Sequence, residues 1–418
     1  MWKKIISTCL VLTFIIAGFL GVSRFTNPQE PLELERVNDT IPTAEISATG
    51  EQGKAGETNN SGMKLAAKAA VLIDGSTGKV LFEQDSHKEL PPASVTKVMT
   101  MLLTMEAVER GQIKLTDIIT ISERAASMGG SQMYMEVGEQ HTLEELLEGI
   151  AIVSANDACV AVAEYVAGSE EIFVEQMNAR ARELGMRDTN FVNTNGLPVA
   201  NHYTSAYDIG LMSCHLIKHE ETKKWFNTWQ KTIKVGLPGK EKEFGLTNTN
   251  KLIKAYPGAN GIKTGFTAEA GYCLSASATK EDTTLIAVAL GCETAKIRTA
   301  EISKLFNYGF AMFQSVEVAA RGQVLKSVEL IKGEPYKVNA VTREKVTVVV
   351  PKGKAEAASC KAIINKDIKL PLVAGDEIGK LKVCVDDREV AEYALVAQKS
   401  VERASLLTYY IRKIKRLF

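Results

Sequence analysis

Ser94 and Lys97 stand three residues apart in the stretch PPASVTKVMT, residues 91 to 100. On a helix this spacing puts both side chains on one face, about a turn apart. An alkyl hydroxyl is a weak nucleophile at neutral pH and needs a base. Burial disfavours the charged form of lysine, so a buried amine can serve as that base. The neighbours Val95, Val98, Met99, Met101, Leu102, Leu103 and Met105 make the helix apolar on nearly every side. Such a helix belongs inside a domain, where an unpaired lysine is rare. The positive end of the helix dipole would favour negative charge growing on the Ser94 oxygen, and Pro91 and Pro92 fix the chain's approach.

Two more stretches carry chemistry. VSANDAC contains Ser154-Ala155-Asn156, and GIKTGFT contains Lys263-Thr264-Gly265. Ser154 can relay a proton to a leaving amine, and Asn156 can hydrogen-bond a substrate backbone. Lys263 offers a fixed positive charge and Thr264 a donor for a carboxylate. Gly265, lacking a Cβ, lets a substrate come close to the backbone. A four-residue S-x-x-K pattern alone recurs by chance. Three such groups in order, beginning at residues 94, 154 and 263, are far more specific.

The elements that must position these residues follow from pattern. AAVLIDGSTGKVLFEQD reads as a β-hairpin turning at Gly75 to Gly78, and Thr142 to Val166 has helical periodicity. EIFVEQMNARARELG is a helix closed by Gly185. AGYCLSASAT and DTTLIAVALGC are strands, and a helix follows from about Lys296 to Phe313. Strands at both ends with helices between predict an α/β domain, residues 64–315, whose sheet is completed by distant segments. From residue 316 to 398 the short β-rich runs divided by Gly, Pro and Asp predict a separate small β domain.

The ends of the chain differ from the middle. Lys3 and Lys4 precede an 18-residue apolar run, Ile5 to Val22. Residues 1–25 therefore read as a signal peptide or a retained signal anchor, which predicts export to the outer face of the cell membrane. Residues 26–63, rich in Glu, Thr, Asn, Gly and Pro, read as a flexible tether. In residues 399–418, Leu406, Leu407, Tyr410, Ile411, Ile414, Leu417 and Phe418 share one helical face. Arg412, Lys413, Lys415 and Arg416 fill the other, the pattern of an in-plane membrane helix or of a helix packed back on the β domain.

S-x-x-K, S-D-N and K-T-G together mark penicillin-binding proteins and class A β-lactamases. From about Lys64 onward the sequence resembles the serine D-alanyl-D-alanine carboxypeptidases, the low-molecular-mass penicillin-binding proteins. FVNTNGLPVANHYTSAYDIGLMS and NTNKLIKAYPGANGIKTGFTAEAGYCLSASA carry further parts of that likeness. The resemblance implies a penicillin-binding-protein/β-lactamase-like α/β catalytic domain, a small all-β domain and an amphipathic C-terminal helix. It implies Ser94 as the acylated nucleophile, Lys97 as its base, and Ser154 with Asn156 as a second wall. Lys263, Thr264 and Gly265 would form the strand wall. The backbone N–H groups of Ser94 and Phe266 would make the oxyanion hole, and Arg298 would help hold the substrate's terminal carboxylate. Peptidoglycan stem peptides are the implied substrate and β-lactams the implied covalent inhibitors, with no metal or organic cofactor. Two departures are small: the middle motif is S-A-N, and Phe266 follows K-T-G where His or Tyr is frequent.

Other classes fit less well. Fifty basic residues balance fifty acidic ones, so charge makes no case for nucleic acid. The E-x-x-L-N expected of a class A β-lactamase is missing downstream of Ser154. A D,D-endopeptidase and a non-turnover penicillin sensor use the same residues. His215 and His219 are spaced i, i+4 but lack the glutamate of H-E-x-x-H, and read as an exposed helix face. The cysteines after Cys9 read as buried free thiols, with a Cys360–Cys384 bridge as an alternative.

Overall fold

The hairpin strands β1 (Ala69–Asp74) and β2 (Val80–Gln84) open a computed structural model that describes residues 62–415. The signal segment, nearly all of the tether, and residues 416–418 of the terminal helix lie outside the described residues. Three later strands, β3 (Ala259–Thr267), β4 (Gly271–Lys280) and β5 (Thr283–Cys292), complete one antiparallel sheet in the order β2-β1-β5-β4-β3. Ala69 pairs with Leu290 and Asp74 with Leu285, so the sheet is indeed closed by distant segments.

The sheet is buried on both faces because successive side chains point opposite ways. Ala69, Val71 and Ile73 of β1 join a core built mainly from helices. Ala70 and Leu72 join a second core under the long helix Ala295–Met312. The helical layer comes from the segment inserted between β2 and β3. It includes α1 (Lys97–Glu109), α2 (Leu143–Ile152), α3 (Asn156–Ala167), α4 (Glu170–Glu183) and α5 (Ala206–Leu216). Helix α1 is buried on almost every side, as its composition requires.

Two departures from the sequence reading bear on the site. Ser94 lies in a 3-10 turn, Ala93–Thr96, just ahead of α1. The periodic stretch from Thr142 is two helices, broken between Ile152 and Asn156, and Ser154 sits in the break with φ 68°. Thr142 and Glu145 cap α2 reciprocally, fixing where it starts.

The helix Ala295–Met312 runs straight into the strand Phe313–Ala319, which pairs with Val346–Pro351. Beyond it a five-stranded antiparallel sheet is built around Glu377–Val385 and Arg388–Ala397. Asp74, fully buried at the first hairpin, ties the two parts together. Its carboxylate accepts from Ser76, Thr77 and the backbone N–H of Val349. The proposed Cys360–Cys384 bridge is not formed: Cys360 pairs with Val383 while Cys384 pairs with Ser359. That one-residue offset puts the two thiols on opposite faces of the sheet. Cys159, Cys214, Cys273 and Cys292 are buried free thiols.

Candidate active site

Lys97 is completely buried, and its Nζ reaches three acceptors. Ser94 Oγ lies at 2.9 Å, Asn156 Oδ1 at 2.7 Å and the Asn195 carbonyl at 2.6 Å. Three acceptors satisfy the three N–H bonds of an ammonium. Burial nevertheless pushes the amine down to about 8. Once deprotonated it keeps two N–H bonds and gains a lone pair. Of the three partners only the Ser94 hydroxyl can donate, so the lone pair turns to Ser94 while Asn156 and Asn195 hold the two remaining hydrogens. The geometry would let loss of one proton from Lys97 turn its lone pair toward one serine.

The other predicted residues gather around this pair. Ser154 is 5% exposed, and its Oγ has no hydrogen-bond partner among the described residues. Asn156 differs from expectation: beyond its bond to Lys97, its Nδ2 donates to the Gly129 carbonyl at 2.6 Å. Both groups of its amide are thus engaged within the protein, which leaves one N–H of Nδ2 for another partner. Lys263 is buried as well, with its Nζ on the Thr264 carbonyl at 3.2 Å. Burial first, and then the charge of Lys97, pull its pKa well below the ordinary lysine range. An incoming carboxylate would oppose that shift and favour the charged amine. Thr264 Oγ1 shares a 2.7 Å hydrogen bond with Thr249 Oγ1.

Gly265 has a purpose the sequence reading placed elsewhere. A Cβ there would stand 2.9 Å from the Pro92 carbonyl oxygen and 3.2 Å from the Ala93 Cβ. The close approach it permits is between β3 and the serine's own turn. Phe266 is 55% exposed, its ring stacked on Tyr272 at 4.3 Å between centroids. Arg298 is buried, donating from Nη1 to the Cys273 carbonyl at 3.4 Å, while its Nε has no partner among the described residues. Cys273 is the cross-strand partner of Gly265, so Arg298 is bonded to the strand beside the strand wall.

The family model for D-alanyl-D-alanine carboxypeptidase matches residues 55–294, and that for the penicillin-binding protein 5 C-terminal domain matches residues 313–403. D-alanyl-D-alanine carboxypeptidase DacF of Bacillus subtilis (strain 168) is 43% identical over 347 residues, 83% of this chain and 88% of the relative. The chain belongs to the D-alanyl-D-alanine carboxypeptidase family. D-alanyl-D-alanine carboxypeptidase DacC of Escherichia coli (strain K12) is 32% identical over 80% of this chain and 84% of its own. Among solved members of the fold, penicillin-binding protein 5 from Haemophilus influenzae superposes with a TM-score of 0.63. It is 31% identical, covering 82% of this chain and 99% of that one.

Part of this carboxypeptidase site was not assigned from the sequence. The loop Phe191–Leu197 supplies the Asn195 carbonyl for Lys97, and it is shaped by its own asparagines. Asn193 Oδ1 accepts from Gly196 N at 2.7 Å, and Asn195 Oδ1 from Leu197 N at 2.9 Å. Gly196 has φ 83°, and a Cβ there would fall onto the Ala93 carbonyl. Gly196→Ala is therefore expected to destabilise the fold by about 3 kcal/mol through backbone strain and overpacking, as read by urea denaturation. The spacing N-x-x-G was the available signal, but it does not say which carbonyl Lys97 would use.

Asp157 proves structural: its carboxylate accepts from the N–H groups of Met133, Met135 and Ala158. The His215/His219 pair is half-buried, not exposed. Burial depresses both, His215 to about 3, and His219 Nδ1 lies 3.9 Å from Glu109 at the end of α1.

Proposed function

We propose that this protein removes the terminal D-alanine from peptidoglycan stem peptides by a two-step acyl transfer through Ser94. The observation that carries this reading is the fully buried Lys97 amine, hydrogen-bonded to Ser94 and held by Asn156 and Asn195. Neutral Lys97 takes the Ser94 proton as the oxygen attacks the penultimate carbonyl. The amide C–N bond breaks, the departing amine receives a proton through the Ser154 side, and D-alanine leaves. Water then cleaves the ester and returns the proton to Ser94. The N–H groups of Ser94 and Phe266 would hold the oxyanion. Lys263, Thr264 and Arg298 would receive the terminal carboxylate. A β-lactam would enter the same path and stop at the acyl-enzyme.

The test is D-alanine release from a peptide ending in Lys–D-Ala–D-Ala, with penicillin labelling measured beside it. Release together with labelling is expected. Labelling without release from any stem peptide or crosslink would convert the protein into a sensor, and activity on crosslinks alone would make it an endopeptidase.

The reading also places the protein on the outer face of a membrane. Support comes from the terminal helix Leu406–Lys415, whose Leu406 and Leu407 are 77% and 73% exposed. Arg412 pins the helix to the β domain through Glu334 and the Gly333 carbonyl, yet among the described residues nothing covers the apolar face. Among the described residues no helix is long and apolar enough to cross a bilayer, so the helix would lie in the interface. Sedimentation with vesicles containing anionic lipid should pull down the protein. The double change Leu406→Glu and Leu407→Glu should weaken that binding at least about tenfold, since each buried leucine is worth roughly 1.5–3 kcal/mol. Equal sedimentation of parent and variant would remove the helix from this role.

A further inference from the structure

A chain of three hydrogen bonds runs from the loop after α4 to the peptide group that carries the nucleophile. It begins at the backbone N–H of Val192, which donates to His202 Nδ1 at 3.0 Å. With Nδ1 accepting, the ring proton of the neutral imidazole must sit on Nε2. Nε2 lies 2.8 Å from Thr96 Oγ1, which accepts that proton's hydrogen bond. The Thr96 hydroxyl, its lone pair engaged, then donates to the Ala93 carbonyl at 2.9 Å. Both side chains along this line, His202 and Thr96, are buried.

The last acceptor gives the chain its meaning. The Ala93 carbonyl and the Ser94 N–H belong to one planar trans peptide, so they point in opposite directions. Fixing the carbonyl fixes the N–H. Ala93 is held at φ 48°, a left-handed conformation that a residue with a Cβ keeps only when its surroundings impose it. Ser94 is the second residue of its 3-10 turn, where an N–H has no partner within the turn. Gly196 packs closely on this carbonyl, and Thr96 adds the hydrogen bond that sets its direction.

We infer that His202 is a positioning residue which, through Thr96 and the Ala93 carbonyl, aims the Ser94 N–H at the oxyanion. The inference rests on the acyl-enzyme reading above and adds a residue that touches neither substrate nor nucleophile. Burial supports it by holding the imidazole pKa down to about 4, so the ring stays neutral and keeps its Nε2–H for Thr96 at any pH near neutrality. Phe191 packs edge-on against the ring, at 6.0 Å between centroids. The same loop therefore holds the imidazole, blocks the Ala93 carbonyl with Gly196, and supplies the Asn195 carbonyl to Lys97.

The experiment is penicillin acylation of the full chain, resolved by rapid quench into a non-covalent dissociation constant and a first-order acylation rate. An oxyanion donor acts on the transition state, so His202→Leu should slow acylation by about thirtyfold while leaving the dissociation constant within about threefold. His202→Gln should recover most of the rate, because an amide oxygen can accept from Val192 and its N–H can donate to Thr96. Thr96→Val should match His202→Leu, and the double variant should be no slower than either, as expected for residues acting in series. Acylation at the parental rate in His202→Leu, multiplicative losses in the double variant, or no recovery by glutamine would each overturn the inference. If His202→Leu does not fold, parental acylation by Thr96→Val overturns it just as well. A parent that takes up no penicillin would overturn the acyl-enzyme reading itself, and this inference with it.

Discussion

Ser94→Ala should show no covalent penicillin adduct and a fall in D-alanine release on the order of 10^4-fold or more, because the variant lacks the oxygen that would form the ester. Intact-mass measurement after penicillin exposure gives the first result and a coupled D-alanine assay the second. The variant should fold normally. Only one of the three acceptors of Lys97 is removed, a change worth about 1 kcal/mol. Persistent labelling would move the nucleophile elsewhere. Ser154 would then be the residue to examine, as a buried hydroxyl without a partner.

The second large effect concerns the base. Lys97→Met should lower the acylation rate by roughly 10^3-fold, the usual span for removing a general base. In the parent, only the neutral amine works, and burial sets its pKa at about 8. About a tenth of the molecules are then competent at pH 7, so the rate should rise about tenfold per unit from pH 6 and flatten above pH 8. Lys97→Met should lose that rise, and a parental rate flat across this range would remove Lys97 as the base. The stability sign follows from the same shift. A lysine with a lowered folded pKa binds fewer protons folded than unfolded between about pH 8 and the ordinary value near 10.4. Its contribution to stability is thus unfavourable below pH 8 and improves as pH climbs through that window. Methionine removes the buried charge but orphans Asn156 Oδ1 and the Asn195 carbonyl. These effects oppose each other, and net stability at pH 7 should change by no more than about 2 kcal/mol.

What could be read from the sequence were residue types whose chemistry does not depend on long-range placement. A serine three residues before a lysine in an apolar run implies a buried pair, and the structure buries Lys97 completely. The hairpin, the paired later strands and the helix closed by Gly185 were equally legible, because their periodicity and turn residues are local. The rest is tertiary. Nothing near Asn156 announces that its amide serves Lys97 before any substrate, and nothing near Gly265 announces that its missing Cβ makes room for Pro92. The Asn195 carbonyl is a backbone group, for which sequence carries no residue-type signal. His202 reads as an ordinary histidine until Val192 and Thr96 are seen on its two nitrogens. Ser154 looked mid-helical because periodicity does not register a single residue in the left-handed region.

The sheet's closure governs when this protein can begin to work. Strand β1 ends at Asp74; besides its hairpin partner β2, it pairs with a strand that spans Thr283–Cys292, and Ala69 meets Leu290 across more than two hundred residues. Contacts of such separation form late, because the intervening chain must first give up its freedom. During synthesis the serine and its lysine are available early, yet the strand wall with Lys263 gains its neighbour β4, and through β4 the rest of the sheet, only when most of the catalytic segment exists. A nascent or prematurely ended chain would therefore carry Ser94 and Lys97 without the strand wall beside them. On the proposed mechanism, fold completion would itself act as the safety catch.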